Sequence, residues 1–314
     1  HAVVREMRLD PKTVRVKSVA VKDARTGREE ELRARVVFLC ASTIESTRIL
    51  LNSRDTRHPD GLANSSGMLG RNLMDHVTGA KAYGFLPDLD GVADPGRRPT
   101  GIYVPRFRNL DEKKPGAFLR GYGMQGDIRK VDLGWLFLRP LSGLRAPAVP
   151  GFGAGFKEAL RKSGRWEIVL SAFGECLPNP ENRVEIDPAV KDAWGIPAAR
   201  VRMSFGENER ALHADAVTAT AEMLEIAGAK DVGVDDAIAP PGHAIHEMGT
   251  ARMGADPTLS VLDRFNRAHD VPNLFVTDGS AMVSSGTVNP SLTYMALTAR
   301  AAHHAADLMA RKEL

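Results

Sequence analysis

Two side chains toward the C-terminal end are of the types that alcohol oxidation needs. Taking hydride from a carbinol carbon requires a base for the hydroxyl proton and a second group that hydrogen-bonds the same oxygen. His246, in His243-Ala244-Ile245-His246-Glu247-Met248-Gly249-Thr250, is the candidate base. Imidazole is the side chain whose ordinary titration lies near neutrality. Asn289, in Ser284-Ser285-Gly286-Thr287-Val288-Asn289-Pro290, is the candidate second group. Between them runs Asn273-Leu274-Phe275-Val276-Thr277-Asp278-Gly279-Ser280, an apolar strand ending in an acidic turn. A histidine alone would read as a core or turn residue. The glycine-rich sequence after it, the strand and the Asn-Pro helix start favour the chemical role.

Other chemistries fit less well. His243 and His246 are three apart, but Thr250 stands where a zinc-protease spacing needs a second histidine. His303 and His304 are adjacent on a helical stretch, where neighbours point apart. Neither pair has a third ligand close in sequence, so no metal site is expected. A serine nucleophile in Gly-x-Ser-x-Gly is absent.

The His246 and Asn289 phrases closely resemble the C-terminal segment of the glucose-methanol-choline (GMC) flavin-dependent oxidoreductases, nearest their bacterial sugar and sugar-acid dehydrogenases. Asn64-Ser65-Ser66-Gly67-Met68-Leu69-Gly70-Arg71-Asn72-Leu73-Met74-Asp75-His76 is similar to the family's flavin-attachment loop. Val36-Val37-Phe38-Leu39-Cys40-Ala41-Ser42-Thr43 resembles its strand-to-helix turn beside the flavin. The resemblance implies FAD as cofactor and hydride transfer to flavin N5, with His246 as base and Asn289 on the substrate oxygen. It implies cofactor contacts from Val4 (or Val3) at the adenine, Ala41, Asn72, Asp278, Gly279, Asn289 and Pro290. It places His76 near the isoalloxazine, with covalent attachment there not readable. A helix starting at Asn289-Pro290 would stabilise negative charge on the flavin's pyrimidine edge.

The same resemblance implies an α/β fold: a Rossmann-like FAD-binding domain over residues 1–76 and 235–314, interrupted by an antiparallel substrate domain over 77–234. Such flavoproteins open with Gly-x-Gly-x-x-Gly between a strand and a helix. The chain begins at His1 and shows no such motif; Gly151-Phe152-Gly153-Ala154-Gly155 reads as a loop. The expectation is a chain lacking the N-terminal βαβ, a C-terminal part of a longer enzyme. Two readings stand beside the dehydrogenase: a non-catalytic remnant unable to hold FAD alone, and an oxidase that uses oxygen. The expected partners are an alcohol or sugar substrate and an electron-accepting subunit.

Composition agrees with a folded α/β protein. The 314 residues are 43% hydrophobic and 26% charged, with a net charge of +3. So small and dispersed a charge argues against nucleic acid as the main partner. The arginines at 97, 98, 106 and 108 are broken up by apolar residues and read first as a solvated face, with an acidic substrate or a partner subunit as the alternatives. No apolar run approaches the roughly 18 to 20 residues of a membrane span. Two distant cysteines give neither a disulfide framework nor a metal spacing, and Cys40 reads as a buried small hydrophobe. Compartment stays unassigned.

The elements that must position the candidates follow from periodicity. Residues 2–7 and 13–22 alternate as strands around a turn at 24–28. Residues 34–39 form a nearly continuous apolar run, as in a parallel strand buried on both faces. A helix over 43–51 should bury Ile44, Ile49 and Leu50. Short strands broken by Pro87, Pro95, Pro105, Pro115, Pro140, Pro147 and Pro150 follow, then a helix at 156–162 and a strand at 168–173. Residues 177–186 resemble a strand of the substrate-domain sheet. Helix 207–228 should bury Ala211, Ala214, Val217, Ala221, Leu224 and Ile226. In the last helix, about 290–312, Asn289 suits the N-cap and Pro290 the first position, with Leu292, Met295, Ala296, Ala299, Ala302 and Ala306 as the packing stripe.

Overall fold

The structure, a computed structural model, describes residues 1–92, 101–111, 116–131, 152–155, 157 and 164–314. Arg97, Arg98, Pro95, Pro115, Pro140, Pro147, Pro150 and, apart from Lys157, the helix expected over 156–162 lie outside those residues. Of the loop expected over 151–155, Phe152 and Gly153 are bend and turn, whereas Ala154 and Gly155 are already helical.

The chain divides into two compact units. Unit 1 holds His1–His76, Glu175–Gly206 and Pro240–Leu314; unit 2 holds Val77–Gly174 and Glu207–Ala239. Residues Glu175–Gly206 thus group with the first unit, where the sequence reading carried the second block through 234.

Unit 1 opens with an antiparallel sheet of β1 (Ala2–Leu9), β2 (Val16–Asp23) and β3 (Glu29–Leu32). Next come β4 (Val37–Leu39) and α1 (Thr43–Asn52). The two-residue β5 (His76–Val77) marks the passage to unit 2. There the strands are β6 (Lys81–Phe85), β7 (Gly101–Val104), β8 (Tyr122–Val131) and β9 (Arg165–Glu175). Back in unit 1, β10 (Arg183–Lys191) and β11 (Pro197–Arg202) form a separate antiparallel hairpin. That hairpin corrects the expectation that 177–186 join the large sheet. Unit 2 resumes with α2 (Glu207–Ile226) and β12 (Lys230–Asp235). Unit 1 closes with β13 (Leu274–Val276), a 3-10 turn at Gly279–Ala281, and α3 (Ser291–Ala310).

In unit 2 the strands run β12-β6-β9-β8-β7, all antiparallel. Helix α2 packs on β6, β8 and β12 through Leu212, His213, Ala216, Ala219, Thr220 and Leu224. Of the expected stripe only Leu224 is buried. Alanines occur all round this helix, so apolar period alone did not select a face. Tyr122, fully buried on β8, donates its hydroxyl to Asp215 Oδ2 at 2.5 Å, and Arg108 Nε donates to the same atom at 2.8 Å.

In unit 1, β4 and β13 pair in parallel, Phe38 opposite Phe275 with stacked rings 5.0 Å apart. Strand β13 is wholly buried, but Phe38 is 38% exposed, which corrects the expectation that β4 is covered on both faces. Their inner side joins a core with Ile49, Leu50, Leu262, Val271 and Leu274. Asn273 ties this core to the outer sheet: its amide donates to Val16 O and Arg35 O, both at 2.9 Å, and accepts from Val16 N at 2.8 Å. Helix α1 buries Thr43, Ser46 and Thr47 beside Ile49, Leu50 and Leu51, while Ile44 is only half-buried. Cys40 is exposed, against expectation, and Cys176 is buried.

Helix α3 buries Ala301, Ala305 and Leu308 against Phe275. The expected stripe lies on its other side: Leu292 is 77% and Met295 67% exposed, and Ala296, Ala299, Ala302 and Ala306 are exposed too. Among the described residues no helix is long and apolar enough to cross a membrane.

Candidate active site

His246 sits on an extended segment that runs antiparallel to residues 72–76. Met74 and Met248 exchange both backbone hydrogen bonds at 2.9 Å. The close approach requires glycine at 249, where φ is +99° and a Cβ would lie 2.3 Å from Asn72 O. Asn72 itself is buried, with a left-handed φ of 60°.

Asp75 fixes the segment that carries His246. The carboxylate, 0% exposed, accepts backbone N–H groups from His76 at 2.7 Å, Ala244 at 3.0 Å and His246 at 3.1 Å. A buried carboxylate bound by several main-chain donors is a rigid anchor. Sequence reasoning did not single out Asp75; its position inside the Asn72–His76 phrase was the only signal. His76 is also buried, its ring edge-on to that of His246 with centroids 5.1 Å apart. Burial and the neighbouring His246 hold the His76 imidazole below its ordinary range, opposed by Asp75 and by the carbonyls of Gly286 and Val288.

The last two carbonyls belong to the loop that delivers Asn289. This loop is pinned by Ser285, whose Oγ accepts from Cys176 N at 3.1 Å, and by Ser284, whose Oγ donates to Glu175 at 2.5 Å. Asn289 Nδ2 then lies 3.5 Å from His246 Nε2, the outer limit of a hydrogen bond. So spaced, the two nitrogens are neighbours able to meet one oxygen. The Nδ1 of His246 is buried and, among the described residues, has no hydrogen-bond partner.

Asn289 does not cap the helix, as the sequence suggested. Pro290 occupies the N-cap position of α3, and no side chain caps the turn. The first intrahelical bond runs from Tyr294 N to Pro290 O at 3.1 Å. The N–H groups of Ser291, Leu292 and Thr293 therefore point out of a 20-residue helix beside Asn289, a place for negative charge.

Asp278 and Gly279 join α1 to this corner. Asp278 Oδ1 accepts from Ser280 N at 3.0 Å and Ser280 Oγ at 2.6 Å, and Oδ2 accepts from Ser46 Oγ. The Ser46 hydroxyl also accepts from Ala41 N at 3.1 Å, so Ser46, unremarked in the sequence, links two of the expected cofactor contacts. Gly279 O accepts from Gly249 N at 3.1 Å. The structure thus brings together His246, Asn289 and Pro290, and connects Ala41, Asp278, Gly279 and Asn72 to them. Val4 is different: it lies on β1 opposite Val21, packed on the core of unit 1.

A parallel strand pair, a buried carboxylate bound to the backbone of a histidine and an amide before a helix start thus meet within one α/β unit. Residues 178–298 match the GMC oxidoreductase family. It is 36% identical over 283 residues to 2-methyl-1,2-propanediol dehydrogenase of Mycolicibacterium austroafricanum, spanning 89% of this chain and 49% of that protein. With the fructose dehydrogenase large subunit of Gluconobacter japonicus it shares 29% identity, over 96% of this chain and 52% of the relative. The chain spans about half the length of these relatives. Pyridoxine 4-oxidase from Mesorbium loti has a similar fold, with a TM-score of 0.57 at 19% identity, covering 96% of this chain and 57% of that one.

Proposed function

We propose that the chain is part of an FAD-dependent oxidoreductase that oxidises the CH–OH group of a sugar, sugar acid or polyol. The observation that carries this reading is the 3.5 Å approach of Asn289 to His246 Nε2 at the start of α3. The names of the relatives, a diol dehydrogenase, a fructose dehydrogenase and a gluconate 2-dehydrogenase, support the substrate class. FAD, held by the residues named below, would supply the two-electron acceptor for the hydrogen on the carbinol carbon. His246 takes the hydroxyl proton at Nε2, and Asn289 hydrogen-bonds the same oxygen and orients the carbinol. Asp75 keeps the base in register through its bonds to the backbone.

The residues assigned to FAD are Val4, Ala41, Asn72, Asp278, Gly279, Asn289 and Pro290, all in unit 1, which is proposed as the cofactor domain, with unit 2 as the substrate domain. The unpaired N–H groups at the start of α3 fit an electron-rich cofactor edge. The carboxylate of Asp278 is engaged by Ser46 and Ser280, so its contribution to the cofactor runs through the turn it shapes. The N-terminal βαβ that grips the pyrophosphate is assigned to sequence outside this chain. The uncovered stripe of α3 and the half-length match to the relatives support that assignment. An electron-accepting subunit is the expected partner, a reading supported by a relative named as a large subunit. The test is substrate-driven bleaching of the flavin in the FAD-loaded protein, with and without His246→Ala.

A further inference from the structure

One cavity of unit 1 shares no residue with the corner around His246. It measures about 450 Å³ and lies between the end of α1, the 60–71 loop, β10 and Arg200 of β11. Sites of that size hold small organic ligands. Arg54, Arg71, Arg183 and Arg200 line it, against the carboxylates of Asp60 and Glu185. Four positive and two negative charges leave the lining doubly positive.

The charges are not paired evenly. Glu185 is shared by Arg183 at 2.8 Å, Arg200 at 3.2 Å and Arg202 at 3.3 Å. Arg54 and Arg71 instead donate through Nε to backbone carbonyls, Leu51 O at 2.8 Å and Gly67 O at 3.1 Å. Anchored in this way, each guanidinium keeps its terminal amino groups for another acceptor. Among the described residues neither arginine forms an ion pair. Two such cations lining one cavity repel each other, whereas a fork of N–H donors matches a tetrahedral oxyanion.

The walls are fixed by the main chain. Val184 N donates to Gly70 O at 2.8 Å, Gly70 N to Thr250 O at 2.7 Å, and Leu62 N to Leu50 O at 2.9 Å. The cavity is therefore formed before any ligand arrives. Its volume exceeds what a bare phosphate fills, and the Asp60 carboxylate can accept hydroxyl groups.

We propose that this cavity binds a doubly charged phosphate group, carried on a small hydroxylated body, between Arg54 and Arg71. Isothermal titration of the purified chain at low ionic strength tests this with glucose 6-phosphate, inorganic phosphate and glucose. Saturable one-site binding of the ester is expected, with weaker binding of inorganic phosphate and none of glucose. Equal binding of the two anions would assign the site to free phosphate and overturn the ester. Arg54→Gln with Arg71→Gln should weaken binding at least about tenfold, the loss expected of hydrogen bonds to a charged group. Arg54→Gln alone should give a smaller loss, and Arg202→Gln, outside the lining, none. An unchanged unfolding midpoint separates lost binding from lost fold. Absence of saturable anion binding, or binding undiminished in the double variant, overturns the proposal. The test needs no FAD, so it stands or falls apart from the oxidoreductase reading.

Discussion

Gly279 lies so close to Glu247 that a Cβ on the glycine would stand 2.5 Å from the Glu247 carbonyl oxygen. The turn after β13 and the segment bearing His246 thus touch through a position with no room for a side chain. The same Cβ would meet Thr43 Oγ1 at 2.6 Å and Tyr294 Oη at 2.9 Å. Gly279→Ala should cost about 1 to 3 kcal/mol, the usual range for overpacking a tight core. Urea unfolding measures it, and a loss below about 0.5 kcal/mol would show that the contact yields.

Asp75 predicts a combined loss of stability and turnover. Asp75→Ala leaves three backbone N–H groups without their acceptor. A buried unsatisfied donor costs about 1 to 3 kcal/mol; His76 N is buried and the other two are partly so, and a destabilisation of about 1 to 3 kcal/mol is expected in denaturant unfolding. Asp75→Asn, which retains an acceptor oxygen, should lose less. In the FAD-loaded protein the misplaced base should lower turnover on the order of a hundredfold, with substrate affinity changed far less.

Two histidines set an acid limit to stability. Burial holds His76 and His213 below the ordinary imidazole range; Asp236 opposes the shift at His213. A depressed folded value means that the unfolded chain binds the proton first as pH falls. Stability is therefore complete above the unfolded value of about 6.5 and is lost as pH falls through the folded value, by up to about 1.4 kcal/mol per pH unit for each histidine. Unfolding midpoints between pH 8 and pH 5 measure the slope, and His213→Gln should flatten it. A slope unaltered by that change would remove His213 from the linkage.

Helix α3 offers a test of which face is buried. Met295→Ser, at an exposed position, should move stability by less than about 0.5 kcal/mol. Ala301→Leu, at 0% exposure, should cost about 1 to 3 kcal/mol. The reverse order would restore the stripe read from periodicity.

That stripe shows how far the sequence was legible. Periodicity located α2 and α3 but not their buried faces, because alanine occurs on every side of both helices and each buries polar or small residues. The apolar run at 34–39 announced the parallel strand found at Val37–Leu39, yet which of its faces is covered depends on what packs there. That His246 and Asn289 lie side by side was legible, because a base and a second hydrogen-bonding group were sought by residue type. Asp75 was not: its work is to accept N–H groups from a segment about 170 residues away, and pattern along the chain does not encode such a contact. Ser46, which links Ala41 to Asp278, is hidden for the same reason.

The central claim is that His246 is the base for oxidation of an alcohol by bound flavin. Its most direct test is the rate at which a sugar or vicinal diol bleaches the visible flavin band under anaerobic mixing, in the FAD-loaded protein and in His246→Ala. A slowing of about a hundredfold to ten-thousandfold, the usual contribution of a general base, with flavin content unchanged, is the result expected. Equal bleaching rates in the two proteins would contradict the account.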